Sequence, residues 1–339
     1  MMQVISKEFF IKKNMTITSG KYLWKLVSLG FGIILITWLL LQLEWAETID
    51  IIRNVPVSFL MLGFVCYGFS FYFRALRFKL LLPSDSPLEY LFPIVLIHYT
   101  ALNIIPARLG ELSYIYLLKK VNSISAGCSV SSLLIARVFD QIAISIIFFI
   151  SSCFVVFPSS WLRMLYWGIG GVLILAIVLL IALLIYQKTS VQWLHRLLFK
   201  FGLYQYPIIQ RVLREAEQVT RTLVCLRDPK TLLHILGYSF SIWLSIFSVN
   251  YLLLTAFGVQ LSFAAIILVS TLIIFLGMFP LQLFGGVGIR ETTWVFLVVS
   301  LGISKNIAIV SGFGAHIVTT LYLFVFGVYG LWRLRKALK

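Results

Sequence analysis

Charge is what this sequence has least of. Only 12% of its 339 residues are charged while 60% are hydrophobic, and the mean hydropathy is +1.00. Soluble globular chains carry about 25% charged residues, so this composition excludes a water-soluble globular protein and places the chain in a bilayer. Acids are the scarcer sign: 12 Asp+Glu face 28 Lys+Arg, leaving +16. In a membrane protein such a bias reports topology, so no nucleic-acid partner is expected. Cysteine is sparse too. Cys66, Cys128, Cys153 and Cys225 show no CxxC or His-paired spacing, which indicates neither a disulfide framework nor a metal site, and no cofactor is expected. A GxxxxGK[ST] loop is missing, so ATP is not the implied energy source. Long polar segments are missing as well. The longest, about 187–230, falls short of the usual soluble domain of about 50–200 residues.

What is present is apolar sequence in long runs. Six of them, 22–43, 56–73, 126–157, 161–186, 231–257 and 306–332, reach the length that a hydrocarbon core of about 30 Å requires, about 20 helical residues. The first follows a basic leader, 1–21, and lacks a small-residue cleavage site, so it reads as a retained signal-anchor. Two further stretches, 88–120 and 262–302, are apolar but broken near their middles by Pro and Gly. They read as re-entrant helical hairpins that return to the side they entered. With an inward N-terminus, 22 of the 28 basic residues fall on cytoplasmic segments, including Arg74, Arg77 and Lys79, and only Arg53, Arg163 and Lys305 fall outside. The expected fold is therefore all-α and polytopic: about six spanning helices plus two opposed re-entrant hairpins within one transmembrane domain, 22–332. Both termini, including the basic tail 333–339, face the cytoplasm of a cell inner (plasma) membrane. In the connector 187–230, the segment 211–230 reads as an amphipathic helix in the headgroups, either a plain connector or a sensor of anionic lipids.

The broken stretches resemble each other. NIIPARLGELSYIYLLKKVNSIS (103–125) and MFPLQLFGGVGIRETTWVFLVVSLGISK (278–305) each hold an apolar helix, a Pro, a Gly turn, a Glu and a short aromatic-rich helix. Pro106 and Gly110 mark the first break, and Pro280, Gly285, Gly286 and Gly288 the second. Each unit has a spanning run before and after it, giving repeat one at about 56–157 and repeat two at about 231–332. The extra span 161–186 between them inverts the second. Inverted repeats in transporters place the site near the midplane, where the two halves exchange inward and outward states.

Three arginines and three carboxylates remain inside apolar sequence: Arg108, Arg137, Arg290, Glu111, Asp140 and Glu291. Each unpartnered charge at a helix centre costs about 2.5–3.5 kcal/mol on insertion scales, so these six need partners or water. The i,i+3 spacing predicts Arg108–Glu111 and Arg137–Asp140 pairs. Arg290 and Glu291 are adjacent, so at least one should pair across the repeat interface. Both glutamates start half-helices. Either they cap those ends, or the two helix N-termini and the arginines hold a phosphate and the carboxylates are its displaced counter-ions. His316 follows Glu291 by 25 residues, as Arg137 follows Glu111 by 26. It is read either as a packed hydrogen-bonder or as a proton-linked group, and His98 likewise. Asn103 and Gln282 flank the breaks and either satisfy freed backbone groups or contact a ligand.

NIIPARLGE, then Lys119-Lys120, then SLLIARVFD, with a later P-x-Q-x-x-GGVGIRE element, resembles the flippase-like family that includes the membrane half of lysylphosphatidylglycerol synthase. The likeness runs from about Trp24 to Trp332, with Pro106, Gly110, Glu111, Arg137 and Asp140 matching the first motif. Pro280, Gly286, Gly288 and Glu291 match the second. The resemblance implies a protein that moves phospholipid or polyprenyl-linked lipid between leaflets around two opposed hairpins. The aminoacyl-transferase domain is absent, so synthesis is not expected of this chain, and the leading expectation is a non-enzymatic lipid translocase. Its substrate would be a phosphate-bearing membrane lipid, and neutralising Arg137 or Glu111 is expected to abolish transport. The sequence leaves room for a homo-oligomer. Two alternatives stand beside it: a membrane transferase using Glu111 or Asp140 as base on a lipid phosphate, and a small-solute or ion-coupled secondary transporter.

Overall fold

The structure, a computed structural model, describes residues 37–82, 86–105, 109–155, 160–185, 228–276 and 289–337. Ten helices can be bounded among them: α1 Trp45–Arg53, α2 Val57–Leu81, α3 Leu88–Ile104, α4 Glu111–Asn122, α5 Ala126–Ser152, α6 Ser160–Ile185, α7 Pro229–Ala256, α8 Phe263–Leu276, α9 Ile289–Ser300 and α10 Lys305–Ala337. Four of these, α2, α5, α7 and α10, are long and apolar enough throughout their described residues to cross a membrane. α6 is 26 residues of nearly pure apolar sequence. Most of the expected first span, and the connector up to residue 227, lie outside the described residues.

Sequence punctuation sets the boundaries. α2 begins after Pro56 and runs to Leu81 because no proline interrupts it, eight residues beyond the predicted end of that span. α7 is opened by Asp228, whose carboxylate accepts from the Lys230 and Thr231 amides at 3.2 and 3.1 Å, with Pro229 in the first turn. The Thr231 hydroxyl, which donates to the same carboxylate at 2.8 Å, and then the two amides favour the ionised form and hold the Asp228 pKa below its ordinary value. The short helices end alike. Ser123 after α4 (φ 55°) and Gly302 after α9 (φ 94°) are left-handed, and the next amide donates back to Leu118 and Val298 carbonyls, each at 3.3 Å.

α3 and α4 form a tight helical hairpin. A Cβ on Gly110 would meet the Ala101 carbonyl carbon at 2.5 Å, while one turn on, the Tyr114 ring lies 5.2 Å from that of His98. As α4 advances α3 recedes, so the arms are antiparallel. At 17 and 12 residues neither reaches the about 20 that a crossing takes. α8 and α9, with 14 and 12 residues, touch each other, and Val269, Leu272, Val295 and Val298 are buried in one apolar cluster.

The helices fall into two sets, α2–α5 and α7–α10. Exchanging the sets maps each helix contact among them onto another: α3 lies on α10 as α8 lies on α5, α5 touches α7 as α10 touches α2, and α2 lies along α7. That last pair is antiparallel, since Gly63 faces Leu253 while Arg77 bonds Ser239. The α3–α10 crossing is close because Gly327 and Gly330 leave room for Thr100, Leu96 and the Pro93 carbonyl.

The outer surface is apolar. On α10, Ile317, Leu321, Phe324, Val325, Val328 and Leu331 are all exposed at helical spacing. Water would not tolerate so continuous a stripe, and hydrocarbon would. The cation of Lys305 sits 6.0 Å from the Trp38 ring and that of Lys336 5.8 Å from Trp332. Thirty-one residues of helix separate these lysines, roughly 46 Å at 1.5 Å per residue. That is close to a bilayer with its headgroups, about 40–45 Å.

Gly110→Ala should force the hairpin arms apart, because the new methyl meets backbone that cannot rotate away. Thermal unfolding in detergent should show a loss of about 1–3 kcal/mol, whereas Gly237→Ala, with nothing within 4 Å, should leave the midpoint unchanged or raised.

Candidate functional site

Among the described residues, three contacts join an acid to a base. Arg77 is wholly buried on α2 and grips Asp140 of α5 with both ends of its fork, Nη1 to Oδ1 at 2.5 Å and Nη2 to Oδ2 at 3.1 Å. Nη1 also donates to Ser239 Oγ at 2.8 Å, and the Trp243 indole donates to Asp140 Oδ1 at 2.8 Å, bringing α7 into the network. The second contact joins Arg137 of α5 to Glu111 of α4, and the third joins His316 of α10 to Glu291 of α9.

These contacts correct the expected pairing. Asp140 does not serve Arg137, because the sequestered Arg77 guanidinium would otherwise stand alone in an apolar interior. Arg137 lies on an exposed edge and turns to Glu111, which was expected to pair with Arg108. Arg74 and Arg77, counted among cytoplasmic charges, are buried inside α2. Arg108, Gln282, Pro106, Pro280, Gly285, Gly286 and Gly288 lie outside the described residues.

The second and third contacts share one local plan. Each short helix carries its acid at or near the start and an aromatic residue three places on, and that aromatic bonds a serine five residues before the acid's partner. Tyr114 Oη and Ser132 Oγ are 3.1 Å apart, and Trp294 Nε1 donates to Ser311 Oγ at 3.2 Å and to the Ala308 carbonyl at 3.0 Å. The basic residues are Arg137 and His316. They differ in exposure: the Glu111 and Arg137 side chains are 28% and 44% exposed, those of Glu291 and His316 1% and 17%.

A cavity of about 370 Å³ lies between the two helix sets, walled by α2, α3, α7, α8, α9 and α10. It gathers Arg74, Arg290, Glu291, His316, Asn103 and Asn250 among Tyr67, Tyr99, Trp243 and aliphatic side chains. Its positions on α10 run from Gly312 to Leu323, the middle of that helix. Asn250 donates to Ser270 Oγ at 3.1 Å, and Asn103 to its own helix at the Tyr99 carbonyl at 3.0 Å. Glu111, Arg137 and Asp140 do not line the cavity.

Arg74 and Arg290 set the chemistry. Among the described residues no carboxylate lies within 4.0 Å of either guanidinium. Arg74 is 8% exposed, its Nε has no hydrogen-bond partner among the described residues, and its guanidinium carbon lies 4.0 Å from the Tyr99 ring. Stacking of that kind contributes about 0.5–2 kcal/mol but leaves the charge uncancelled. Two such guanidiniums lining one cavity suit an anion.

Sequence reasoning missed Arg74, Tyr99, Trp243, Asn250 and Ser270. The one available signal was FYFRALRFKLLL (71–82), in which apolar residues continue past both arginines without a helix breaker until Pro83.

Long apolar helices, short paired ones and a charged interior define a polytopic, all-α membrane protein. Its family is equally plain: the model of the Lysylphosphatidylglycerol synthase TM region matches residues 25–327, nearly the whole chain, and the chain belongs to that family. Searches of curated proteins and of solved structures found no match.

Asp140→Ala should strand Arg77 and the Trp243 N–H together. A loss of about 3–5 kcal/mol in unfolding free energy is expected, with partial recovery in the Arg77→Leu/Asp140→Leu double variant. Equal losses in both proteins would show that the pair is not what Asp140 supports.

Proposed function

We propose that this chain is a lipid translocase, non-enzymatic, that moves a phosphate-bearing lipid between leaflets. The observation that carries the reading is that two guanidiniums, Arg74 and Arg290, line one cavity between the two helix sets with no carboxylate within 4.0 Å of either among the described residues. A phosphate there would satisfy both by charge-assisted hydrogen bonds while its acyl or isoprenoid chains stay among the apolar helix faces. Family membership supports a lipid as the cargo, and the cavity's tyrosines, tryptophans and aliphatic residues suit the glycerol or isoprenoid end of such a headgroup.

Alternating access of two inverted repeats is the motion we infer. Three features support it: the exchangeable contact pattern, the antiparallel α2–α7 pair and the shared acid–aromatic–serine–base plan. The antiparallel α3–α4 hairpin, too short to cross, is read as re-entrant from one side, and α8 with α9 as its counterpart from the other. With Arg74 and Arg77 moved inside, the remaining 20 basic residues against six acids still favour cytoplasmic termini, in the inner membrane. Asn103, Glu291 and His316 are assigned to the headgroup site with the two arginines. Glu111, Arg137 and Asp140 are assigned to holding the helices. The weight first placed on Arg137 thus moves to Arg74.

In vesicles containing the purified chain and fluorescent phosphatidylglycerol, leaflet exchange measured by one-sided dithionite quenching should exceed that of protein-free vesicles. Arg74→Ala and Arg290→Ala should each slow it by about 10–100-fold, the equivalent of one lost charge-assisted contact, with the variants still inserted and monodisperse. Exchange no faster than in empty vesicles for phosphodiester, phosphomonoester and polyprenyl-phosphate lipids alike would overturn the reading.

A further inference from the structure

The two acid–base pairs occupy the same register but not the same chemistry. The base of the Glu111–Arg137 pair is a guanidinium, a side chain that is not deprotonated in proteins. Imidazole is the side chain that gains and loses a proton within the physiological range. Only the titratable pair faces the cavity: Glu291 and His316 both line it, and Glu111 and Arg137 do not.

The charges facing His316 can be counted element by element. Among the described residues, α9 presents Arg290 and Glu291, and α2 presents Arg74 and Tyr67; α3 presents Tyr99, while α7 and α8 contribute no ionisable side chain, and α1 meets α10 at its start, where Asn306 donates to Glu47. The phenols are neutral at cellular pH. With one proton shared by Glu291 and His316 that pair is neutral and the two arginines leave the described lining at +2. With none, the pair is −1 and that lining +1. A single proton therefore doubles the positive charge that an anionic headgroup meets.

Resting on the lipid-phosphate reading above, we propose that the Glu291–His316 pair is a proton site coupled to the headgroup site, so that the cavity takes up one proton with each phosphodiester lipid it binds. The proton arrives from water onto the pair, no bond in the lipid is made or broken, and the proton returns to water on the side where the headgroup leaves. Coupling is reciprocal: the bound anion tightens the pair's hold on the proton, and the proton tightens the anion. Binding is therefore strongest at low pH and weakens as pH rises. The fixed Glu111–Arg137 pair takes no part.

Calorimetric titration of the purified full chain with short-chain phosphatidylglycerol, in buffers of different ionisation enthalpy from about pH 5 to 8, reads both affinity and protons exchanged. Phosphatidylglycerol is chosen because its phosphodiester does not titrate there. A fractional proton uptake approaching one at the alkaline end is expected, with affinity falling by up to about tenfold per pH unit. His316→Arg, which recreates the other pair, should abolish the uptake and flatten the slope. Binding with no proton uptake and a pH-independent affinity would overturn the coupling and leave the lipid reading intact. The same uptake in His316→Arg would overturn its assignment to this pair. Dimethyl phosphate is the arm for a free anion: binding as tight as that of the lipid overturns the lipid reading and not the coupling. Absence of binding by both probes overturns the two together.

Discussion

A guanidinium cannot be left alone in hydrocarbon, and the three central helices close around one. Arg77 is reached by Asp140 from α5 and Ser239 from α7, and Asp140 is reached in turn by the Trp243 indole. Each partner is bound to a particular place on its helix, so the network fixes the relative register of α2, α5 and α7. Trp243 is also a wall of the cavity, and Arg74 lies one turn before Arg77 on the same helix. The buried fork thus holds the first wall of the cavity in place.

Seen from that network, the arginines sort by what meets them. Arg77 has a carboxylate, a hydroxyl and no exposure; Arg137 has a carboxylate and an open edge. Arg74 has an aromatic face, and Arg290 stands beside a glutamate that His316 engages. The first two are satisfied within the fold, which makes them structural by the same energetics that make the other two candidates for a ligand. In the proposed translocase the anion is the partner that the protein itself withholds from Arg74 and Arg290.

Much of this was legible before any coordinates. The apolar runs gave the bounds of α5, α7 and α10 to within five residues, because hydrophobic length is a direct consequence of bilayer thickness. The matching intervals from Glu111 to Arg137 and from Glu291 to His316 put His316 at the place that Arg137 holds in the other repeat, but did not show which acid either base would meet. What the sequence hid was pairing between distant helices. Local spacing suggested Arg137 with Asp140, but the competitor was Arg77, 63 residues earlier in the chain, and only its complete burial explains why it wins. Arg74 was obscured for a related reason. Charge in a run of sequence reads as an end to the membrane, and nothing local shows that a tyrosine from the next helix lies under it.

The central claim is that a lipid phosphate sits between the two helix sets against Arg74 and Arg290. Photo-crosslinking from a phospholipid with its diazirine next to the phosphate, followed by peptide mass spectrometry, tests this most directly. The account predicts adducts on the cavity walls, at Tyr99, Trp243 and the stretch of α10 around His316. Adducts confined to the outward stripe of α10, from Ile317 to Leu331, would contradict it.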